Sequence, residues 1–189
     1  MAEEAGTVSE SRPPVKVIEA YRDYQPPAPV QELVQGMIDV LPAKYLRGLQ
    51  SIVLTNHSAL SYDRRRKSTK SRNRKVKMDR VAGMYHAAWK GQPAWIEIFV
   101  DRILPQSRWM RIRTFPEFMI GRVFYHELGH HVHATIRPEF NEKEDVADDW
   151  RDRFLRGYLH KKHWFLSPIL RAVGSVVRLA RHGKKNQRP

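Results

Sequence analysis

From Pro116 to about Thr135 the chain carries one long helical pattern, and the middle of that pattern is almost free of charge. Between Val123 and His133 only Glu127 is charged, while Val123, Phe124, Leu128 and Val132 supply an apolar face. A helix with such a face has to be buried. Pro116 and Glu117 open it, the acid near the positive end of the helix dipole, and Pro138 follows its end. Whatever this chain folds into must cover that helix.

The same stretch reads Phe124-Tyr125-His126-Glu127-Leu128-Gly129-His130-His131-Val132 and contains H-E-x-x-H. On a helix, positions i and i+4 share a face one turn apart, so the imidazoles of His126 and His130 can converge on one small cation. Glu127 projects beside them, placed to reach a metal-bound water rather than the metal, as a general base must be. His131 and His133 point away from that face. The alternative is a core helix whose histidines simply satisfy hydrogen bonds. Cysteine is absent from all 189 residues, which removes disulfides and thiolate sites, so any metal is held by His, Asp or Glu.

A catalytic zinc takes three protein ligands and keeps one position open. The acids downstream are Glu139, Glu142, Glu144, Asp145, Asp148 and Asp149. Glu144 is the predicted third ligand, as a first-turn residue of a helix expected from about Asn141 to Tyr158 with an Asn cap and a capping-box Glu. Asp148, four residues on, is predicted to accept the spare N–H of a ligand histidine. A solvated acidic helix start is the competing explanation for Glu144.

These residues resemble the zincin metallopeptidases of the gluzincin type, over about residues 30–160 in architecture. The match in motif is confined to His126–His130 and Glu144-Asp145-Val146-Ala147-Asp148. Metzincins are excluded on pattern, because His133 and Ile136 stand where that branch needs Gly and His; peptide deformylases require a cysteine ligand. The resemblance implies an α+β fold with a small, mostly antiparallel sheet, an active-site helix and a following glutamate helix. It implies that AWIEIFV, with Trp95, Ile96, Glu97, Ile98 and Phe99, is the edge strand that pairs with an extended peptide substrate. It further implies zinc-dependent peptide hydrolysis with Glu127 as base, and an oxyanion partner for which Tyr158, His160 and His163 are candidates.

The remaining organisation follows from composition. Residues 1–29, with Pro13-Pro14 and Pro26-Pro27, read as a flexible arm. A helix is predicted from Val30 to about Val40, a strand over Leu49–Leu54, and a hairpin of Val81–Trp89 with Ala94–Val100. The net charge of +14 is confined to two segments, residues 51–80 and 151–189. Within the first, Arg64–Lys77 is predicted to be a flexible basic loop (63–78), either solvated or touching phosphates. Within the second, residues 161–189 read as a basic amphipathic helix and tail, able to meet an anionic membrane, a partner or the chain's own core. With a mean hydropathy of -0.60, an acidic start and no long apolar run, neither a signal peptide nor a transmembrane segment is expected, and the expected location is the cytoplasm. Two functions stand: a zinc metallopeptidase, or a non-enzymatic protein binding nucleic acid or a membrane surface on a zincin-like scaffold. Only the first requires Glu127.

Overall fold

The computed structural model describes residues 14–71, 74–104, 114–136 and 144–162. It is a mixed α+β structure. In chain order the elements are β1 (Lys16–Ala20), α1 (Val30–Asp39), β2 (Leu49–Thr55), α2 (Tyr62–Arg66), β3 (Ser68–Ser71), β4 (Arg74–Lys77), β5 (Gly83–His86), β6 (Ala94–Phe99), α3 (Val100–Ile103), α4 (Thr114–Ile136) and α5 (Glu144–Lys162). Single 3-10 turns lie at Ala43–Tyr45, His57–Ala59 and Met78–Arg80. No helix among the described residues is long and apolar enough to cross a membrane.

Four strands form the main sheet in the order β1-β2-β6-β5. β1 pairs with β2 and β2 with β6 in parallel, and only β5 runs antiparallel to its neighbour β6. The mostly antiparallel sheet expected from the sequence is therefore corrected to a mostly parallel one. A parallel neighbour needs a crossover rather than a tight turn, and α1 supplies it between β1 and β2. β1 also corrects the proline-rich arm, since Lys16–Ala20 pairs residue for residue with Ser51–Thr55. The predicted hairpin is present, with Gly83 opposite Ile98 and Tyr85 opposite Ile96.

The sheet's central strands are apolar because both faces are covered. Ile52, Leu54, Ile96, Ile98 and Phe99 are fully buried. Phe99 packs with Leu60, Met78 and Val81 in one cluster, to which Val76 and Met84 add partial cover. The helices bury Val34, Met37 and Ile38 of α1 and Ile120, Phe124, Tyr125 and Leu128 of α4. The Tyr125 hydroxyl donates to the Met37 carbonyl at 3.3 Å, fastening α4 to α1. Phe154 of α5 meets Tyr45 edge-on, Tyr125 at a tilt and Trp150 stacked, with centroids 5.1–5.8 Å apart. Its contact with Tyr125 joins α5 to α4, and its contact with Tyr45 joins α5 to the turn after α1.

Of the predicted basic loop, the described residues 63–71 and 74–78 are ordered structure, and residues 72–73 lie outside the described residues. Ser61 caps α2 by accepting from the Arg64 amide, and β3 pairs antiparallel with β4. Arg64 donates to both oxygens of Glu97, at 3.1 and 2.7 Å, and His86 Nε2 lies 3.2 Å from the same carboxylate. Glu97 is 4% exposed, so this fork is the bonding a buried carboxylate needs. One of the expected phosphate contacts is thus a structural ion pair.

By its internal contacts the chain divides into residues 1–155 and 156–189. The second unit's described part, 156–162, is the end of α5, where Lys162 donates to the Tyr158 hydroxyl at 3.0 Å. The amphipathic helix and tail expected beyond residue 162, His163 and the Asn141 cap lie outside the described residues.

Candidate metal centre

α4 presents His126 and His130 on one face, as the i, i+4 spacing requires, and their Nε2 atoms are 3.1 Å apart. The first residue of α5 closes the third corner. Glu144 Oε2 stands 3.3 Å from His126 Nε2 and 4.0 Å from His130 Nε2. Tetrahedral zinc with bonds near 2.05 Å holds its ligand atoms about 3.3 Å apart. Two of the three separations meet that within a few tenths of an ångström, and the third, between His130 and Glu144, is longer at 4.0 Å. The donor set, two imidazoles and one carboxylate, is one that suits zinc. These three side chains are also the one group among the described residues close enough to share a cation.

Asp148 stands against the far side of the His126 ring from the cluster. Its Oδ1 is 3.0 Å from His126 Nδ1, which leaves Nε2 facing the cluster. Arg151 donates to the same oxygen of Asp148 and to Asp152, fixing the carboxylate from behind. Burial, then the neighbouring His130, holds the His126 pKa below the ordinary imidazole range, against the opposing pull of Asp148 and Glu144. A neutral imidazole with a lone pair at Nε2 is what a metal requires.

The cluster opens on a cleft of about 1220 Å³. Glu127, 7% exposed, lines it beside His126, His130 and Glu144, and β5 forms part of the opposite wall through Gly83, Met84 and Tyr85. Two glycines bring these walls together. A Cβ on Gly83 would sit 2.6 Å from Val123 Cγ1, 2.8 Å from Glu127 Cγ and 2.9 Å from its Oε1. A Cβ on Gly129 would sit 2.8 and 2.9 Å from the Ala147 carbonyl oxygen and Cα. Both glycines are where one backbone must pass close to another element. A glycine inside a helix or at a strand end costs stability, and that cost is the sequence signal for both.

His131 and His133 are outside the cluster, as expected from their direction. His131 Nε2 donates to the Arg47 carbonyl at 3.1 Å, so Nδ1 accepts from the Tyr85 hydroxyl at 3.3 Å and ties β5 to α4. The expected edge strand is corrected. Trp95, Ile96, Glu97, Ile98 and Phe99 lie on β6, which has β2 on one side and β5 on the other. Its ladder is fully used, and Glu97 serves Arg64 and His86. The edge beside the cleft is β5. Tyr158 and His160 belong to the second unit, while every ligand of the cluster belongs to the first. Comparison with protein-family profiles, curated proteins and solved structures finds no match.

Proposed function

We propose that the chain is a zinc-dependent peptidase of the gluzincin type. The observation that carries the proposal is the convergence of His126, His130 and Glu144 with a buried Glu127 at their side, in an open cleft. A zinc ion held by the three ligands would supply a Lewis acid and an acidified water. The chain's own residues do the rest. Glu127 accepts the proton of the attacking water and returns it to the leaving amine, the two roles of one carboxylate in general acid–base hydrolysis. Asp148 and Arg151 keep His126 in one tautomer and one orientation. β5 offers its outer edge to an extended peptide, by backbone pairing along the cleft.

The decisive comparison is Glu127→Gln against the unaltered chain. Both should hold about one zinc per chain, and only the unaltered chain should hydrolyse a peptide library, because an amide cannot take the proton. Zinc content unchanged by His126→Ala would refute the ligand set, and equal hydrolysis by Glu127→Gln would refute the base. Retained zinc with no hydrolysis by either protein would favour a zincin-like scaffold without peptidase activity.

A further inference from the structure

The charges lining the cleft are unevenly placed. Four arginines and four carboxylates contribute. Glu127, Glu144 and Asp148 stand at the candidate metal centre with Asp145 next to Glu144 in the first turn of α5, and Arg151 is bound to Asp148 and Asp152. Arg80, Arg102 and Arg122 are exposed, and none has a carboxylate within ion-pair distance among the described residues. Arg102 Nε reaches His57 Nδ1 at 3.4 Å, and the Arg122 guanidinium lies over the Phe118 ring at 5.9 Å. Asp101, beside Arg102, accepts from the His57 backbone amide at 3.2 Å.

All three arginines gather at one end of the cleft. Arg80 lies three residues before Gly83, where β5 begins. Arg102 is on α3, directly after β6, and the Phe99 amide donates to the Ala82 carbonyl at 2.9 Å, which pins the end of β6 to the start of β5. Arg122 is one turn before His126 on α4. β5 runs in the same sense as α4, since Gly83 abuts Val123 and Glu127 while Tyr85 meets His131. A peptide paired antiparallel with β5, the more stable of the two pairings, therefore directs the residues after its scissile bond towards the arginines.

We propose that this cleft selects peptides carrying a carboxylate on the C-terminal side of the scissile bond, held by Arg80, Arg102 and Arg122. The proposal rests on the peptidase reading for its direction, but binding of the carboxylate does not depend on hydrolysis. Guanidinium groups suit this ligand because they present paired N–H donors to two oxygens. A bound zinc would add positive charge to the same cleft, where low-dielectric walls strengthen the field.

The test uses the full chain, zinc-loaded, as the Glu127→Gln variant. Fluorescent N-acetylated octapeptides carrying Glu, or Gln at the same positions, are titrated by anisotropy, each as free acid and as C-terminal amide. The Glu peptides should bind about tenfold tighter at low salt. That ratio should fall towards one at high salt and in the R80Q/R102Q/R122Q variant. A preference for Glu over Gln assigns the carboxylate to side chains; a preference for free acid over amide assigns it to the chain terminus, and either result supports the proposal. The three arginines are exposed, so the variant should fold, and the single R122Q variant carries the test if it does not. In parallel, a peptide library cut by the unaltered chain should show acids enriched after the bond. Ratios of one both for Glu against Gln and for free acid against amide, or ratios unaltered by the arginine substitutions, overturn the proposal; cutting without acid enrichment then leaves the peptidase reading intact. A tenfold ratio with no cutting of any peptide keeps the carboxylate site and removes the peptidase reading. Enrichment before the bond overturns the assigned direction.

Discussion

Gly129→Ala separates the geometry of the proposed metal centre from the stability of the fold. The added Cβ would stand 2.8 Å from the Ala147 carbonyl oxygen, 2.9 Å from Ala147 Cα and 3.1 Å from Trp150 Cβ. Two of these are backbone atoms of α5, so no side chain can swing aside. Restoring ordinary contact near 3.5–4.0 Å moves α5 away from α4 by about 0.7 Å. Overpacking of this kind costs about 1–3 kcal/mol, while replacing a helical glycine by alanine returns about 0.8–1.0 kcal/mol. The net loss of stability is therefore about 0–2 kcal/mol, and the protein should remain folded. Zinc binding is less forgiving, because ligand distances tolerate only about 0.2 Å. Glu144 and Asp148 flank Ala147 on the same helix, so both move with it. Zinc affinity should fall by about 10–100-fold, the range seen when the outer partners of a zinc ligand are lost. Urea unfolding of the metal-free protein and chelator-competition titration of zinc measure the two effects separately. Affinity equal to that of the unaltered chain, in a folded variant, would refute the argument that the close approach at Gly129 sets the site.

Asp148→Asn removes the carboxylate facing His126 Nδ1, and zinc affinity should drop by about 10–100-fold with little change in the unfolding midpoint; unchanged affinity would deny Asp148 its orienting role. Gly83→Ala places a methyl group against Val123 and Glu127, so hydrolysis should fall steeply while zinc titration stays normal, and normal turnover would show that the gap between β5 and Glu127 is not needed. Arg64→Ala leaves Glu97 buried without its fork, at a cost of about 1–2 kcal/mol at pH 7, reduced because Arg64 is partly exposed. Burial raises the Glu97 pKa, but hydrogen bonds and charge from His86 and Arg64 outweigh it and leave the value below the ordinary carboxylate range. A depressed folded value means that stabilisation is present above the unfolded pKa and is lost as pH falls through the folded one. The deficit of Arg64→Ala in urea unfolding should thus shrink with acid, and a deficit constant from pH 7 to pH 3 would contradict the assignment.

The parts of the site that depend on helical spacing were legible from the sequence, because spacing is local information. His126 and His130 needed only one turn of α4, and Glu144 with Asp148 only one turn of α5. What brings the two pairs together is not local. It depends on Gly129 meeting Ala147 and on the aromatic packing of Phe154 and Trp150 against Tyr45, and neither contact has a sequence period. β1 was missed for a related reason. Its burial does not alternate, Ile18 is 43% exposed, and prolines flank it on both sides, so the segment lacks the pattern that marks a strand. Only its pairing with β2 makes it one.

β6 held two signals that point to its true place. Its apolar run scarcely alternates, which is the mark of a strand covered on both faces rather than of an edge. It also carries one acid, Glu97, among buried apolar neighbours, and a lone carboxylate in such a strand demands a cation from elsewhere in the chain. The nearest dense source of cations in the sequence is Arg64–Lys77, and Arg64 answers the demand. The clustering of positive charge there thus has a share in folding as well as in any contact with an anionic partner. With Arg64 committed to Glu97, an anion approaching this segment meets Arg65, Arg66 and Lys67, which are exposed on α2 and its cap. Substitution of those three should therefore test anion binding without disturbing the sheet, whereas any set that includes Arg64 would confound the two.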